Sequence, residues 1–459
     1  MKDGKKIAGK FTLAGLLLLT CVMSYAQNPV LEKYISEGLE SNQGLKQKQL
    51  DYAVNLAALK EAKGLFFPDI SLNARYTLAE GGRMIEFPVG DLLNPVYSTL
   101  NMLTGTNEFP QIENQTFPFY RPTEQETKLS LVQPIFNSDL IQNYNIKKQY
   151  TEIARVDLDR YKRELIKEIS KAYYEYQKAH NLVVLADTSL ALVAENLRVS
   201  QRLFENDKVT VDAVYRSESE LSRVEVQRAQ ANNMLEASRA YFNFLLNRDL
   251  GTPVDLLMET PLQPAISLEE ASRNALQNRD ELNQIKQYQQ LNKHLTSLHR
   301  GKNVPGLFGV VDYGIQGDDY QMTTEDDFLL ASLVMKWTLF QGTVNHQKVQ
   351  QSRIEGDKLE TLYSETQQQI RLEVINHYYG LQAAYESVQS AGKQARSASK
   401  AYKLIDRKYA EGQSSLLELI DARTSLTNAA ANSIIANSEY FSSLADFEYA
   451  MGANGLEKY

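Results

Sequence analysis

From Ile135 to Leu250 the chain contains neither glycine nor proline, the two residues that most strongly interrupt a helical pattern. Within that run, apolar or small residues recur at Leu158, Tyr161, Leu165, Ile169, Ala172, Tyr176, Ala179, Val183, Ala186, Leu190, Val193, Leu197 and Phe204. The steps are threes and fours with one 4-4 step, and polar Ser200 stands where a member is due after Leu197. This is a heptad seam, and the 4-4 step is a stutter that locally relaxes the supercoil. A helix of roughly 65 residues reaches about 100 Å, too long for any globular core to surround. It must pack against other rods, in its own chain or in neighbouring subunits. The polar turn Glu205-Asn206-Asp207-Lys208 interrupts it, and a second helical run carries Leu221, Val224, Ala231, Leu235, Phe242 and Leu245 on one stripe. Two helices joined by so few residues form a long hairpin with a free tip.

What precedes the rod bears on its compartment. The only long apolar run, Phe11 to Met23, follows Lys2, Lys5, Lys6 and Lys10 and ends in Ser24-Tyr25-Ala26. It is too short to span a membrane as a helix and has the layout of a cleaved secretory signal, with cleavage expected after Ala26. The single cysteine, Cys21, falls inside it; Leu18-Leu19-Thr20-Cys21 faintly resembles a lipoprotein box, although threonine is a poor residue before the cysteine. Loss of four lysines and Asp3 takes the formal charge from −8 to −11. An acidic chain without a basic patch argues against nucleic acid as a partner. A mature chain without cysteine has no disulfide framework and no thiolate metal site. The five histidines are scattered, and His294 and His299 are five apart, the wrong spacing for one helix face. Neither a catalytic constellation nor a phosphate-binding glycine loop is present, so an enzyme has no support and no cofactor is expected.

Taken in order, the chain shows one plan used twice. A helix of about 35 residues is expected over Val30 to Lys63, followed by Pro68 and strict alternation: Ile70, Leu72, Ala74, Tyr76 and Leu78 on one side, Asp69, Ser71, Asn73, Arg75 and Thr77 on the other. Period two with one apolar face is a strand between an apolar and a wet medium, though a half-buried soluble strand would look the same. From 79 to 125, seven prolines and glycines beginning at Pro88 and many aromatics, Phe87, Tyr97, Phe109, Phe117, Phe119 and Tyr120 among them, predict a long irregular loop of functional type. A second strand is expected over about 128–136. After the hairpin and a linker at 251–266, a helix from Ser267 to Lys302 leads to Pro305 and a strand with Leu307, Gly309, Val311, Tyr313 and Ile315 in alternation. Pro68 and Pro305, like Tyr76 and Tyr313, are 237 positions apart. A polar turn, Gly317-Asp318-Asp319, stands where the first copy has its long loop, and the fourth strand is expected to run to Phe340. The last hairpin runs from Val344, turns at Ala410-Glu411-Gly412 and returns to Gly452; Phe204 and Tyr409, Leu221 and Leu426, and Phe242 and Phe447 are each 205 apart. The organisation expected is a signal peptide over 1–26, a first repeat over 27–250 (strands about 69–78 and 128–136, hairpin 138–250), the linker, and a second repeat over 267–459 (strands about 306–316 and 328–340, hairpin 343–452).

If these strands lie in lipid, an open sheet edge cannot persist there. Four strands are also too few to close a barrel, since transmembrane barrels begin at about eight. Several chains would have to complete one wall, with the helices forming a hollow bundle about 100 Å long on one side of the membrane.

The doubled plan, the strand ending Trp337-Thr338-Leu339-Phe340-Gln341-Gly342, and the run from Tyr409 through Gly412-Gln413-Ser414-Ser415-Leu416-Leu417-Glu418-Leu419-Ile420-Asp421-Ala422-Arg423 together resemble the TolC-like outer-membrane efflux family over essentially the whole mature chain. The resemblance implies a mainly α chain with a membrane β-barrel. Four strands per chain would complete a trimeric twelve-stranded barrel continuous with a long periplasmic α-helical barrel. It implies a homotrimer in outer-membrane lipid that docks onto a periplasmic adaptor and, through it, an inner-membrane RND or ABC pump. It also implies an entrance gate at the hairpin tips. There Tyr409 matches the gate tyrosine, and Glu418 and Asp421 match two acidic pore positions. Asp212 sits one residue before the corresponding position of the first copy, Ala213, and Ser414 stands where well-known members carry arginine. Lys208, Val209, Gly412, Gln413 and Ser414 are the expected adaptor-docking tips. Glu418 and Asp421 are also early-turn carboxylates that favour a helix N-terminus, and both roles can hold together. The competing reading is a periplasmic adaptor, which also carries a helical hairpin but needs only one.

Overall fold

The computed structural model describes residues 28–320 and 326–453; the expected signal segment and Cys21 lie outside them. The first half of the chain contributes α1 (Pro29–Ser41), α2 (Gln43–Gly64), β1 (Asp69–Leu78), β2 (Met84–Phe87), α3 (Val89–Thr104), β3 (Gln115–Pro118), β4 (Thr123–Phe136), α4 (Ser138–Glu205) and α5 (Val211–Leu245). The second contributes α6 (Leu268–Asn278), α7 (Asp280–Gly301), β5 (Gly306–Gly317), β6 (Asp327–Lys336), α8 (Val344–Ala410) and α9 (Leu416–Ala450). The rods α4 and α8 have 68 and 67 residues, so each is about 100 Å long. Toward the sheet, α4 packs on α2 and α7; toward its far end it packs on α5 and α9, while α8 packs on α7 and then α9. The heptad seam is the buried face of α4: Leu165, Ile169, Ala172, Tyr176, Ala179 and Val193 are all buried, and Ser200 is fully so.

Each hairpin helix ends in the same way. Asp207 (φ 57°) and Gly412 (φ 75°) adopt left-handed backbone after the long rods, and Asn247 (φ 51°) and Gly452 (φ 68°) do so after the short ones. In every case two backbone N–H groups close on the last turn, as in Lys208 N to Leu203 O (2.8 Å) and Gln413 N to Lys408 O (2.8 Å), which satisfies carbonyls that the helix would otherwise leave bare. Asp207 and Gly412, like Asn247 and Gly452, are 205 positions apart, the repeat spacing of the hairpins.

The 35-residue helices expected at 30–63 and 267–302 are each two helices. Asn42 and Arg279 sit at the breaks in extended backbone, φ −61° and −69°, and are 237 positions apart. The Asn42 side chain caps α2 by accepting from Leu45 N (2.9 Å) and donates to Leu245 O (2.8 Å). The Arg279 guanidinium is buried against Glu281 (2.8 Å) and Glu373 (3.0 Å) and donates to Ala450 O (3.1 Å). Each break therefore binds the end of a short hairpin helix, a tertiary cause that the local helix pattern does not contain.

The core lies midway along the rods. Tyr34, Tyr173 and Phe242 meet there, with Tyr34 and Phe242 edge to face at 5.1 Å, and Tyr174 stacks on Phe441 at 4.6 Å. Gly38 lets α1 approach, since a Cβ there would lie 2.3 Å from Ile169 Cδ1. The linker after α5 crosses this core as a strap: Tyr34 Oη accepts from Asp255 N (2.8 Å), Tyr173 Oη accepts from Leu257 N (2.8 Å), and Tyr440 donates to Leu262 O (2.5 Å).

At one end of the rods, β1, β4, β5 and β6 form an antiparallel sheet in that order. Registered rows cross it: Leu72, Leu129, Tyr313 and Leu329 on one face, Ser71, Ser130, Asp312 and Leu330 on the other. The first row is exposed throughout, Leu72 and Leu329 at 72% each, so an apolar face is turned to the surroundings. The second strand begins at Thr123 rather than 128, and the fourth ends at Lys336 rather than Phe340. Its other face is not wholly polar either: Leu330 and Val334 are exposed on this edge strand.

The expected irregular loop is substantially ordered. β2 pairs with β3, and between them α3 runs for 16 residues with Pro95 inside it. Side chains of α3 do what a neighbouring strand would do: Asn94 exchanges hydrogen bonds with the Ile112 backbone (2.9 Å each way) and Asn101 with that of Phe109 (2.7 and 3.0 Å). Proline and glycine in its first two turns mask the helix in the sequence, because proline penalises a helix interior.

Candidate gate at the hairpin tips

The tips lie at the end of the rods remote from the sheet. There Tyr402, Tyr409 and Leu419 form a separate buried cluster, packed by Leu192, Val199 and Leu203 of α4. Tyr409 is 2% exposed, and its hydroxyl lies 2.8 Å from Ser200 Oγ, which lies 3.0 Å from Ser217 Oγ. Ser217 donates to Ala213 O at 2.9 Å. Ser200 also donates to Asn196 O (2.9 Å), so Tyr409 donates to Ser200, each serine closes on a carbonyl of its own helix, and no buried hydroxyl is left without a partner. This file of hydroxyls runs from α8 through α4 to α5. Burial pushes the Tyr409 hydroxyl above its ordinary pKa, with Ser200 opposing, so it stays protonated and able to donate.

A second tie joins α9 to α5. The Arg423 side chain is 3% exposed and pairs with Glu220, which also pairs with Arg223. Arg423 follows Leu416 and Leu419 and precedes Leu426 at core spacing, so a heptad position holds a guanidinium. Burial draws its pKa down, and the Glu220 carboxylate offsets part of that. Above these ties Tyr402 donates to Asp406 (3.2 Å), and its hydroxyl is pushed up to about 12, first by burial.

The acidic residues nominated from the sequence are all exposed. Glu418 is the third residue of a capping box: its backbone N–H donates to Ser415 Oγ (3.2 Å), and its carboxylate accepts from Ser415 N (3.2 Å) and from the Ser414 hydroxyl. Those donors, Ser414 first, hold its pKa below the usual carboxylate range. Ser414 therefore engages Glu418 directly. Asp421 lies one turn further along the same exposed side of α9. Asp212 accepts from the Thr210 hydroxyl and faces Arg216 at 3.6 Å. Among the described residues no hydrogen bond or ion pair links Asp212 to Glu418 or Asp421. Lys208, Gly412 and Gln413 are exposed at the turns, and Val209 and Ser414 half-buried. Reasoning on the sequence passed over Ser200 and Arg423 as functional residues, and Ser217 and Glu220 entirely. The seam defect at Ser200 and the charged core position at Arg423 were the signals that could have found them.

A sheet with an exposed apolar face is thus set on rods of this length, and their far tips are cross-tied. Residues 271–453 match the family described as outer membrane efflux protein. Among solved structures, the chain is similar to the CmeC outer membrane channel of Campylobacter jejuni, with TM-score 0.76 at 15% identity, covering 93% of this chain and 86% of that one. It is similar also to the outer membrane protein VceC of Vibrio cholerae (TM-score 0.73, 13% identity, 92% and 96% covered). The MtrE outer membrane channel of Neisseria gonorrhoeae in its open state gives TM-score 0.72 at 17% identity, with 93% and 89% covered. No curated protein matches in sequence. The second half of the chain thus carries an outer membrane efflux protein domain, and the fold over nearly the whole described length is that of the TolC-like channels.

Proposed function

We propose that this protein is the outer-membrane exit duct of a tripartite efflux or type I secretion system. Three copies complete a twelve-stranded barrel in the outer membrane, and their helices form a periplasmic tunnel whose tips dock to an adaptor and through it to an inner-membrane pump. One observation carries the reading: a four-stranded sheet with an apolar face and two unpaired edges, β1 and β6, rises directly from the rods. Such edges in lipid need partners, and other copies of the same sheet supply them. Within this reading Tyr409 holds the tips together, and Glu418, Asp421 and Asp212 contribute negative charge to the mouth, where carboxylate rings favour cations.

The strands provide the test. Arginine at Leu72, Val311 or Leu333 should cost about 2–4 kcal/mol each near mid-membrane and deplete the assembled trimer on native electrophoresis. Arginine at Asn73 or Ser332, on the opposite face, should be tolerated. Equal tolerance at both sets would remove the barrel from the proposal.

A further inference from the structure

Where the sheet gives way to helices, α4, α7 and α8 and the ends of β5 and β6 surround an open cleft of about 510 Å3. Small-molecule sites fall in this size range. Its charge is opposite to that of the whole chain, which is −8. Lys302 comes from the turn after α7, Lys336 from the end of β6 and Lys348 from the first turns of α8; His299 joins them, and Asp139 is the one acid in the wall. Lys302 pairs with Asp139, whereas Lys336 and Lys348 form no ion pair among the described residues. Elsewhere lysines of the helices do find carboxylates, as in Lys48 of α2 with Asp157 (2.8 Å) and Lys171 of α4 with Asp446 (2.9 Å).

The walls are fixed without any ligand. A Cβ at Gly301 would lie 2.1 Å from Ser138 Oγ, so α7 and α4 meet closely there. Asn303 accepts from Trp337 Nε1 (3.1 Å) and from Asn345 Nδ2 (3.0 Å), which ties the chain after β6 and the start of α8 to the turn after α7. Lys336 stands opposite Gly306 in the register, on the same face as Asp312 and Ser130, so the cleft opens on the polar side of the sheet. Burial together with Lys348 and Lys302 holds the His299 imidazole below its ordinary pKa, in keeping with a cleft that stays net positive after Asp139 has paired with Lys302.

We propose that this cleft is a binding site for a multivalent phosphate-type oxyanion, gripped by Lys336 and Lys348 with Lys302 as a third contact. Charge-assisted hydrogen bonds from ammonium groups to phosphate oxygens are short and strong, and the anion relieves the repulsion among cations brought in from three separate elements. The same chemistry could come from a soluble phosphorylated solute or from a lipid headgroup; the opening on the polar face favours the solute. The proposal does not depend on the channel reading.

The experiment uses the full-length protein in neutral detergent, titrated with inorganic pyrophosphate at constant ionic strength. Binding is followed by calorimetry and by emission of Trp337, the single tryptophan, which shares Asn303 with the cleft wall. Saturable binding is expected, weakened at least about tenfold in K336Q/K348Q and unchanged in K358Q, whose lysine lies on the exposed side of α8. Fluorescence of the unliganded K336Q/K348Q protein, matching the parent, shows that the cleft is folded. A parallel titration with phosphatidylglycerol mixed micelles separates the sources: competition with pyrophosphate assigns the site to a headgroup, and no competition assigns it to a soluble anion. Absence of saturable binding by either anion, or binding that K336Q/K348Q leaves intact, would overturn the proposal.

Discussion

Separating Arg423 from Glu220 should affect the two partners unequally, and the inequality is measurable. The Arg423 side chain is 3% exposed, that of Glu220 20%, and Glu220 keeps a second partner in Arg223. In Glu220→Ala the guanidinium stays buried with no carboxylate. Loss of one member of a fully buried pair costs about 3–5 kcal/mol, and the partial exposure of Glu220 lowers the expectation to roughly 2–3 kcal/mol by solvent screening. Arg423→Met leaves Glu220 with Arg223 and water, and should cost about 1 kcal/mol, of the order of a single net hydrogen bond. Replacing both by Leu and Met should restore most of the stability, because a buried pair exchanged for apolar side chains is often neutral. The readout is hydrogen exchange of tip amides in α5 and α9. At about 1.4 kcal/mol per decade, Glu220→Ala should speed exchange there by roughly 25- to 140-fold while the core around Tyr173 stays protected. Equal costs for the two single variants, or a double variant as weak as Glu220→Ala, would refute the argument.

Four further outcomes follow from the structure. Tyr409→Phe removes the first hydroxyl of the file to Ser200 and Ser217, about 1 kcal/mol per chain, and should raise open probability in bilayer recordings while leaving ion selectivity unchanged; Glu418→Ala with Asp421→Ala should weaken cation selectivity. Glu259, whose pKa burial raises above 4.5 against donors from Asn28 and Tyr174, favours the folded state most when protonated. Stability from this group is therefore full below 4.5 and declines as pH rises through the raised value, so Glu259→Gln should flatten the melting temperature of the parent across that window. Asp207→Gly, at φ 57°, relieves part of the left-handed penalty of roughly 1–2 kcal/mol per residue and should stabilise the first hairpin, read by thermal melting; no gain would mean that the Asp207 side chain compensates the strain.

Much of the fold was legible because its periods are long and its breakers few. The heptad seam in α4 and the alternation in β1 each repeat often enough to outweigh local noise, and the spacings of 237 and 205 positions tie one copy to the other. The breaks at Asn42 and Arg279 escaped because distant carbonyls and carboxylates hold them, not local breakers. α3 escaped for the converse reason, since Pro95 argues against a helix that Asn94 and Asn101 nevertheless anchor. At the tips, matching motifs found Tyr409 and Glu418, but a motif carries no burial. That Arg423 is enclosed emerges only once the four helices are packed.

The strap from Asp255 to Leu262 has a mechanical consequence. It is bonded to tyrosines of α1, α4 and α9 at one level of the rods, and so marks a fulcrum. Below it α9 runs from Tyr440 to its tip end at Leu416, a lever arm of about 36 Å. A swing of about ten degrees at the strap carries a tip through roughly 6 Å over an arm of that length, more than the reach of any bond in the Ser200–Tyr409 file. A few hydroxyls and one ion pair at the far end of so long an arm act where their mechanical advantage is greatest, and modest forces applied at the turns are enough to work against them.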